Sequence, residues 1–245
     1  MIERQLDIAT KDGASTTFVT NPERGGPHPV IVFLMDAPAI REELRDMARR
    51  IAAAGYYVML PNLYYRSGVM ELAALPPLPA AQAGERMFAL MGSLTIPMVM
   101  DDGDALLNYA DRDASASPGK LAALGYCMSG QYAINFAARY PDRVAAAASI
   151  YGVQLVTDAS DSPHLAAEKA RGELYFACAE TDRWAPLEMV EAMDQAMRSK
   201  KINAEVEVFP GVDHGFAFPE RAAFNKDAAE RHWERLFALW KRTLG

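Results

Sequence analysis

The chain has 245 residues, 51% of them hydrophobic, which is enough apolar material for one sizeable core and leads us to expect a single domain over 1–245. The net charge is −7 with Lys and Arg scattered among acids, which argues against nucleic acid as a partner, and no apolar run approaches the roughly 20 residues that span a bilayer. Cys127 and Cys178 are the only cysteines, too few for a disulfide framework or a Cys-x-x-Cys metal pair, and residues 1–7 lack the basic start and apolar stretch of a signal peptide, so a cytoplasmic protein is expected.

Residues 4–20 alternate loosely and turn at Asp12-Gly13, which predicts a β-hairpin at a sheet edge. Asn21 to Pro29 is a Gly/Pro loop. The apolar run Val30 to Leu34 reads as a buried strand, followed by Met35-Asp36-Ala37-Pro38 and a helix from about Arg41 to Ala54. Leu44, Met47, Ala48 and Ile51 fall at helical spacing there, so one face packs on a sheet. Gly55 ends the helix and Tyr56 to Leu60 is the next strand. Residues 67–98, broken by Pro76, Pro77 and Pro79, allow two readings: a pocket-lining insertion, or a plain helical connection with a proline corner. A helix then runs from about Met98 to Arg112, with Val99, Leu106, Leu107 and Tyr109 as core candidates.

Leu121-Ala-Ala-Leu-Gly-Tyr-Cys-Met-Ser-Gly130 is a buried-strand run ending in a cysteine, and a helix pattern follows at once up to Pro141. Gly125 and Ser129 lie two residues either side of Cys127, the small flanks that a strained strand-to-helix turn needs around a nucleophile. Read blandly, Cys127 is a buried apolar thiol at a strand end. Beyond it come strands at 145–150 and 173–179, a helix at about 186–198, a strand at 204–209 and a terminal helix from about Ala222 to Leu244. Alternating strands and helices imply an α/β fold with a mostly parallel sheet flanked by helices on both faces, with ligands at the carboxyl ends of the strands.

A cysteine nucleophile needs a base and an orienting acid at other strand ends. Of the four histidines, His28, His164 and His232 are most simply solvated, while His214 follows the strand ending at Phe209 and is the candidate base. Asp182, in the loop after the preceding strand, is the candidate acid, with Glu180 as rival. The order nucleophile, acid, base is that of α/β-hydrolases. No Gly-x-Gly-x-x-Gly follows the strand Val30 to Leu34 and no His-Glu-x-x-His occurs, which disfavours a dinucleotide enzyme and a metalloenzyme. A non-catalytic ligand-binding protein on a hydrolase scaffold is the alternative.

The chain resembles the dienelactone hydrolase family across nearly its whole length. The resemblance rests on Gly125-Tyr126-Cys127-Met128 with a small residue next, Asp182 four before Pro186, His214-Gly215-Phe216, and Arg45-Asp46-Met47-Ala48 leading to Gly55-Tyr56 and Pro61-Asn62-Leu63-Tyr64. It implies a Cys127-Asp182-His214 triad, hydrolysis of an ester or lactone through an acyl-enzyme, and no cofactor or metal. The small-molecule substrate is the expected partner, with the protein a monomer or small homo-oligomer. Oxyanion donors would be the backbone N–H of Met128 and that of Ala37. Asp36 matches a carboxylate that meets the thiol in family members; it reads equally well as a helix-entry carboxylate. Type members also hold a substrate carboxylate with two arginines. Arg86 matches the first, but Phe218 stands at the second, which suggests a less anionic ester, with Arg221 or Arg66 as possible compensation.

Overall fold

A computed structural model describes residues Met1–Gly245. The alternating start of the chain forms β1 (Ile2–Thr10) and β2 (Gly13–Asn21), an antiparallel pair in register from Thr10↔Gly13 to Ile2↔Asn21. The loop is Lys11-Asp12, and Gly13 already belongs to β2.

The next segment alternates strand and helix as its apolar runs dictate: β3 (His28–Leu34), α1 (Glu42–Ala53) and β4 (Tyr57–Pro61). β3 and β4 are parallel, while β2 runs antiparallel to β4, giving the order β1-β2-β4-β3. Leu44, Met47, Ala48 and Ile51 are buried along α1, the face their spacing calls for.

Residues 67–98 are largely helical. Short 3-10 turns at Tyr65–Ser67 and Leu72–Ala74 precede α2 (Ala80–Gly92), and Pro79 stands just before its first turn. None of the α2 residues is buried. α3 (Ile96–Ala110) starts two residues before the expected Met98, because Thr95 caps it by accepting the Met98 N–H. Val99, Leu106 and Leu107 are buried, as their spacing requires, and Tyr109 is half-buried.

The remaining elements are β5 (Ala116–Tyr126), α4 (Gly130–Arg139), β6 (Val144–Ile150), the short α5 (Pro163–Ala166), β7 (Glu173–Thr181), α6 (Leu187–Ser199), β8 (Ala204–Asp213) and α7 (Lys226–Leu244). Neighbours in the order β5-β6-β7-β8 are all parallel. β8 runs past the expected end at Phe209, through Pro210-Gly211 to Asp213, with a register shift against β7 between Ala179 and Thr181. Glu180 explains the extension: its Oε2 accepts the Gly211 N–H at 2.8 Å and holds the irregular stretch in place. α7 starts at Lys226 instead of about 222 because Asn225 caps it, accepting the Ala228 N–H.

The chain packs as two compact units, Met1–Gly119 and Lys120–Gly245, and the division falls inside β5. No helix is long and apolar enough to cross a membrane. In the second unit α7 packs on β6 and β7 with Trp240 fully buried. Trp240→Ala is expected to lower the unfolding free energy by about 3–5 kcal/mol, measured by urea denaturation.

Candidate active site

The turn after β5 is dictated by missing side chains. A Cβ on Gly125 would overlap the Ser129 carbonyl, so the strand can bend sharply into α4 only with glycine there. Cys127 at the apex has φ +53°, a left-handed conformation that costs a non-glycine residue of order 1–3 kcal/mol. The surrounding bonds hold it there: the Cys127 carbonyl accepts the N–H groups of Val153, at 3.1 Å, and of Gly130. Because a peptide unit is planar and trans, fixing that carbonyl also fixes the Met128 N–H, which points the opposite way. The Cys127 side chain is half-buried.

Asp182 follows β7 directly and His214 follows β8 directly, so both lie at the carboxyl end of the same parallel strands as Cys127. Asp182 is fully engaged. Its Oδ1 accepts the N–H groups of Trp184 at 2.8 Å and Ala185 at 3.0 Å, and its Oδ2 lies 2.6 Å from His214 Nδ1. Three donors on one buried carboxylate fix its orientation. Glu180, the rival acid, bonds the Gly211 N–H.

His214 Nδ1 bonds Asp182 Oδ2, and Cys127 is the other side chain that acts on the imidazole electrostatically. Burial pulls its pKa down from 6.5, but the bond to Asp182 and the influence of Cys127 outweigh that and push it up to about 9. Cys178 is the opposite case. Burial, and then the charge of Asp182, push its thiol up to about 12, leaving it inert.

The other expected site residues are distributed as follows. In the first unit Asp36 is fully buried and clamped by Arg41, with Nη1 at 2.6 Å and Nη2 at 3.2 Å, where the chain enters α1. The Ala37 carbonyl accepts the Tyr64 hydroxyl at 2.9 Å, and the Asp36 carbonyl accepts the Ala39 N–H at 3.1 Å, which sets the peptide carrying the Ala37 N–H. Arg86 donates to the Pro76 carbonyl, and Arg66 is held by Asp102 and Asp12. In the second unit Phe218 is fully buried against Tyr126 and Tyr151, a core position, and Arg221 lies over its ring at 5.3 Å.

Two histidines expected to be solvated are not. His28 is buried at the start of β3, and His232 is fully buried on α7 with Nε2 2.9 Å from the Tyr126 hydroxyl. His164 is half-buried and bonds Ser162. The pattern contained the signal for His232, because the apolar residues Ala229, Trp233, Leu236 and Trp240 place position 232 on the inward face of α7. Tyr151 was also missed: it is buried at φ +36° with its ring 4.9 Å from that of His214.

A strained turn at Cys127 followed in chain order by Asp182 and His214 at the ends of parallel strands has the layout of an α/β-hydrolase. The sequence model of the dienelactone hydrolase family matches residues 16–244, and the chain belongs to that family, whose members are hydrolases. Proteins carrying the name "Putative carboxymethylenebutenolidase" include one from Synechocystis sp., 26% identical over 93% of this chain and 91% of that protein, and one from Escherichia coli K12, 28% identical over 89% and 78%. The crystal structure of a "Putative Dienelactone Hydrolase" from Klebsiella pneumoniae superposes with a TM-score of 0.87, at 25% identity and 98% coverage of both chains.

Two predictions follow from the electrostatics. Iodoacetamide at neutral pH is expected to label Cys127 at least roughly tenfold faster than Cys178, followed by peptide mass mapping; equal slow labelling would contradict the environments described. Asp182→Asn removes a bond that raises the His214 pKa, so nitrogen NMR should find that pKa near 9 in the wild type and closer to 6.5 in the variant. The folded value lies above the unfolded one, so the stabilising contribution is complete below about 6.5 and is lost as pH rises through about 9.

Proposed function

We propose that the protein hydrolyses a carboxylic ester or lactone through a cysteinyl acyl-enzyme, with Cys127 as nucleophile, His214 as general base and acid, and Asp182 as the group that orients His214. The observation that carries this is the 2.6 Å bond from His214 to Asp182 at the same strand edge where Cys127 is held in a left-handed turn.

In the first half-reaction His214 Nε2 takes the proton of the Cys127 thiol, and the sulfur attacks the carbonyl carbon. The carbonyl π pair moves to oxygen, giving a tetrahedral oxyanion. The Met128 N–H donates to it, a contribution of about 3 kcal/mol for one such donor. The intermediate collapses, the carbon–oxygen bond of the alcohol breaks, and His214 returns the proton to the departing alkoxide. With a lactone that alcohol stays tethered to the acyl group. Water, deprotonated by His214, then attacks the thioester and releases the acid, and Cys127 regains its proton.

Asp182 stays ionised throughout, keeping the Nδ1–H tautomer and balancing the imidazolium that forms. The roles of Ala37 as second oxyanion donor and Asp36 as a thiol-facing acid are carried by the family resemblance. The cycle needs no cofactor. For the substrate, relatives are named after a butenolide, which favours a lactone or activated ester. Phe218 at the position of a family arginine favours one with less negative charge.

The test is steady-state hydrolysis of a short-chain p-nitrophenyl ester and of a small lactone panel. Cys127→Ala is expected to lose all turnover, and Asp182→Asn to lose about 10³–10⁴ in kcat with its fold intact. A wild type inactive on every substrate, or full activity in Cys127→Ala, overturns the assignment.

A further inference from the structure

His232 lies outside the catalytic chain just described, yet it is fully buried in the second unit and titratable. Its Nδ1 bonds the Ala229 carbonyl one turn back in α7, and since a carbonyl only accepts, Nδ1 carries the proton. In the neutral ring Nε2 is therefore an acceptor. The Tyr126 hydroxyl, 2.9 Å away, donates to it.

Tyr126 is the last residue of β5 and immediately precedes the left-handed Cys127. Its ring lies 5.2 Å from Phe218, 5.8 Å from Tyr151 and 5.9 Å from His232. Phe216, two residues beyond His214, is edge-on to both His232 and Tyr151, and the Tyr151 ring packs on His214 itself. One buried side chain on α7 thus touches the residue before the nucleophile and the segment after the base. A core filler would not require a polar partner for Tyr126. A Phe–Phe pair would fill similar volume without desolvating two polar groups.

We propose that His232 is a positioning residue: by holding the Tyr126 hydroxyl it fixes the orientation of the peptide leading into Cys127 relative to the His214 segment. This rests on the acyl-enzyme reading above. A turn held in a strained conformation stays there only when its surroundings over-determine it, and the Tyr126–His232 bond supplies a constraint from the side of the preceding residue. The raised pKa of His214, to which Cys127 contributes, reports on the same alignment.

The test uses the full chain and the double variant Tyr126→Phe/His232→Phe, which removes both polar partners together so that neither is left buried and unpaired. We expect kcat on the p-nitrophenyl ester to fall roughly ten- to hundredfold, KM to stay within about twofold, and the His214 pKa to fall below its wild-type value of about 9 as the part due to Cys127 weakens. His232→Gln, which keeps an acceptor near the position of Nε2, should recover most of the loss. Should the double variant fail to fold, Tyr126→Phe alone is read against the same expectations. Unchanged kcat and unchanged His214 pKa in a folded variant overturn the proposal and leave His232 a structural residue. Cys127→Ala in the same assay separates the two failures: retained activity there removes the acyl-enzyme reading, whereas an inactive Cys127→Ala beside a fully active double variant removes only the role of His232.

Discussion

At the end of β5 the chain reverses so tightly that Gly125 and the Ser129 carbonyl leave no room for a Cβ between them. The left-handed conformation of Cys127 follows from that turn. So does the alignment of Met128 N–H, because the same peptide unit has its carbonyl tied to Val153 and Gly130. α4 can start immediately after the turn because Gly130 and Gly152 let the helix approach β6 closely. A side chain at Gly125 would therefore disturb the cysteine, its neighbouring amide and the helix seating together.

The electrostatics depend on the parallel pairing of β5 to β8, which brings three chain-distant residues to one edge. Asp182 receives two backbone N–H bonds on Oδ1, which fixes the carboxylate so that Oδ2 meets His214 Nδ1. His214 in turn is held as a strong base by that carboxylate, despite burial that works against its charged form. The two cysteines show how far environment separates identical groups. Cys178 lies beneath in β7, where burial and the charge of Asp182 suppress the thiolate, while Cys127 sits half-exposed beside an imidazole.

Much of this was legible in the sequence, for identifiable reasons. Buried parallel strands announce themselves as short apolar runs, and the residues immediately after Tyr126, Thr181 and Asp213 are those that parallel pairing gathers. The failures have a common cause in tertiary contacts that local patterns do not encode. β8 continues through Pro210-Gly211 because Glu180, on a neighbouring strand, bonds Gly211. Asp36 is clamped by Arg41 at the entry to α1, a contact that the local pattern does not encode. His232 reads most simply as solvated, yet it is fully buried, because the spacing of Ala229, Trp233 and Leu236 puts its position on the inward face of α7.

The central claim is that the acyl group passes through sulfur 127. Rapid quenching during turnover of p-nitrophenyl acetate, followed by intact-mass measurement and peptide mapping, tests it most directly. The account predicts a protein heavier by one acetyl group, with the label on the peptide holding Cys127 and decaying at the rate of turnover. Turnover without any adduct, or an adduct formed at turnover rate on another residue, would contradict it.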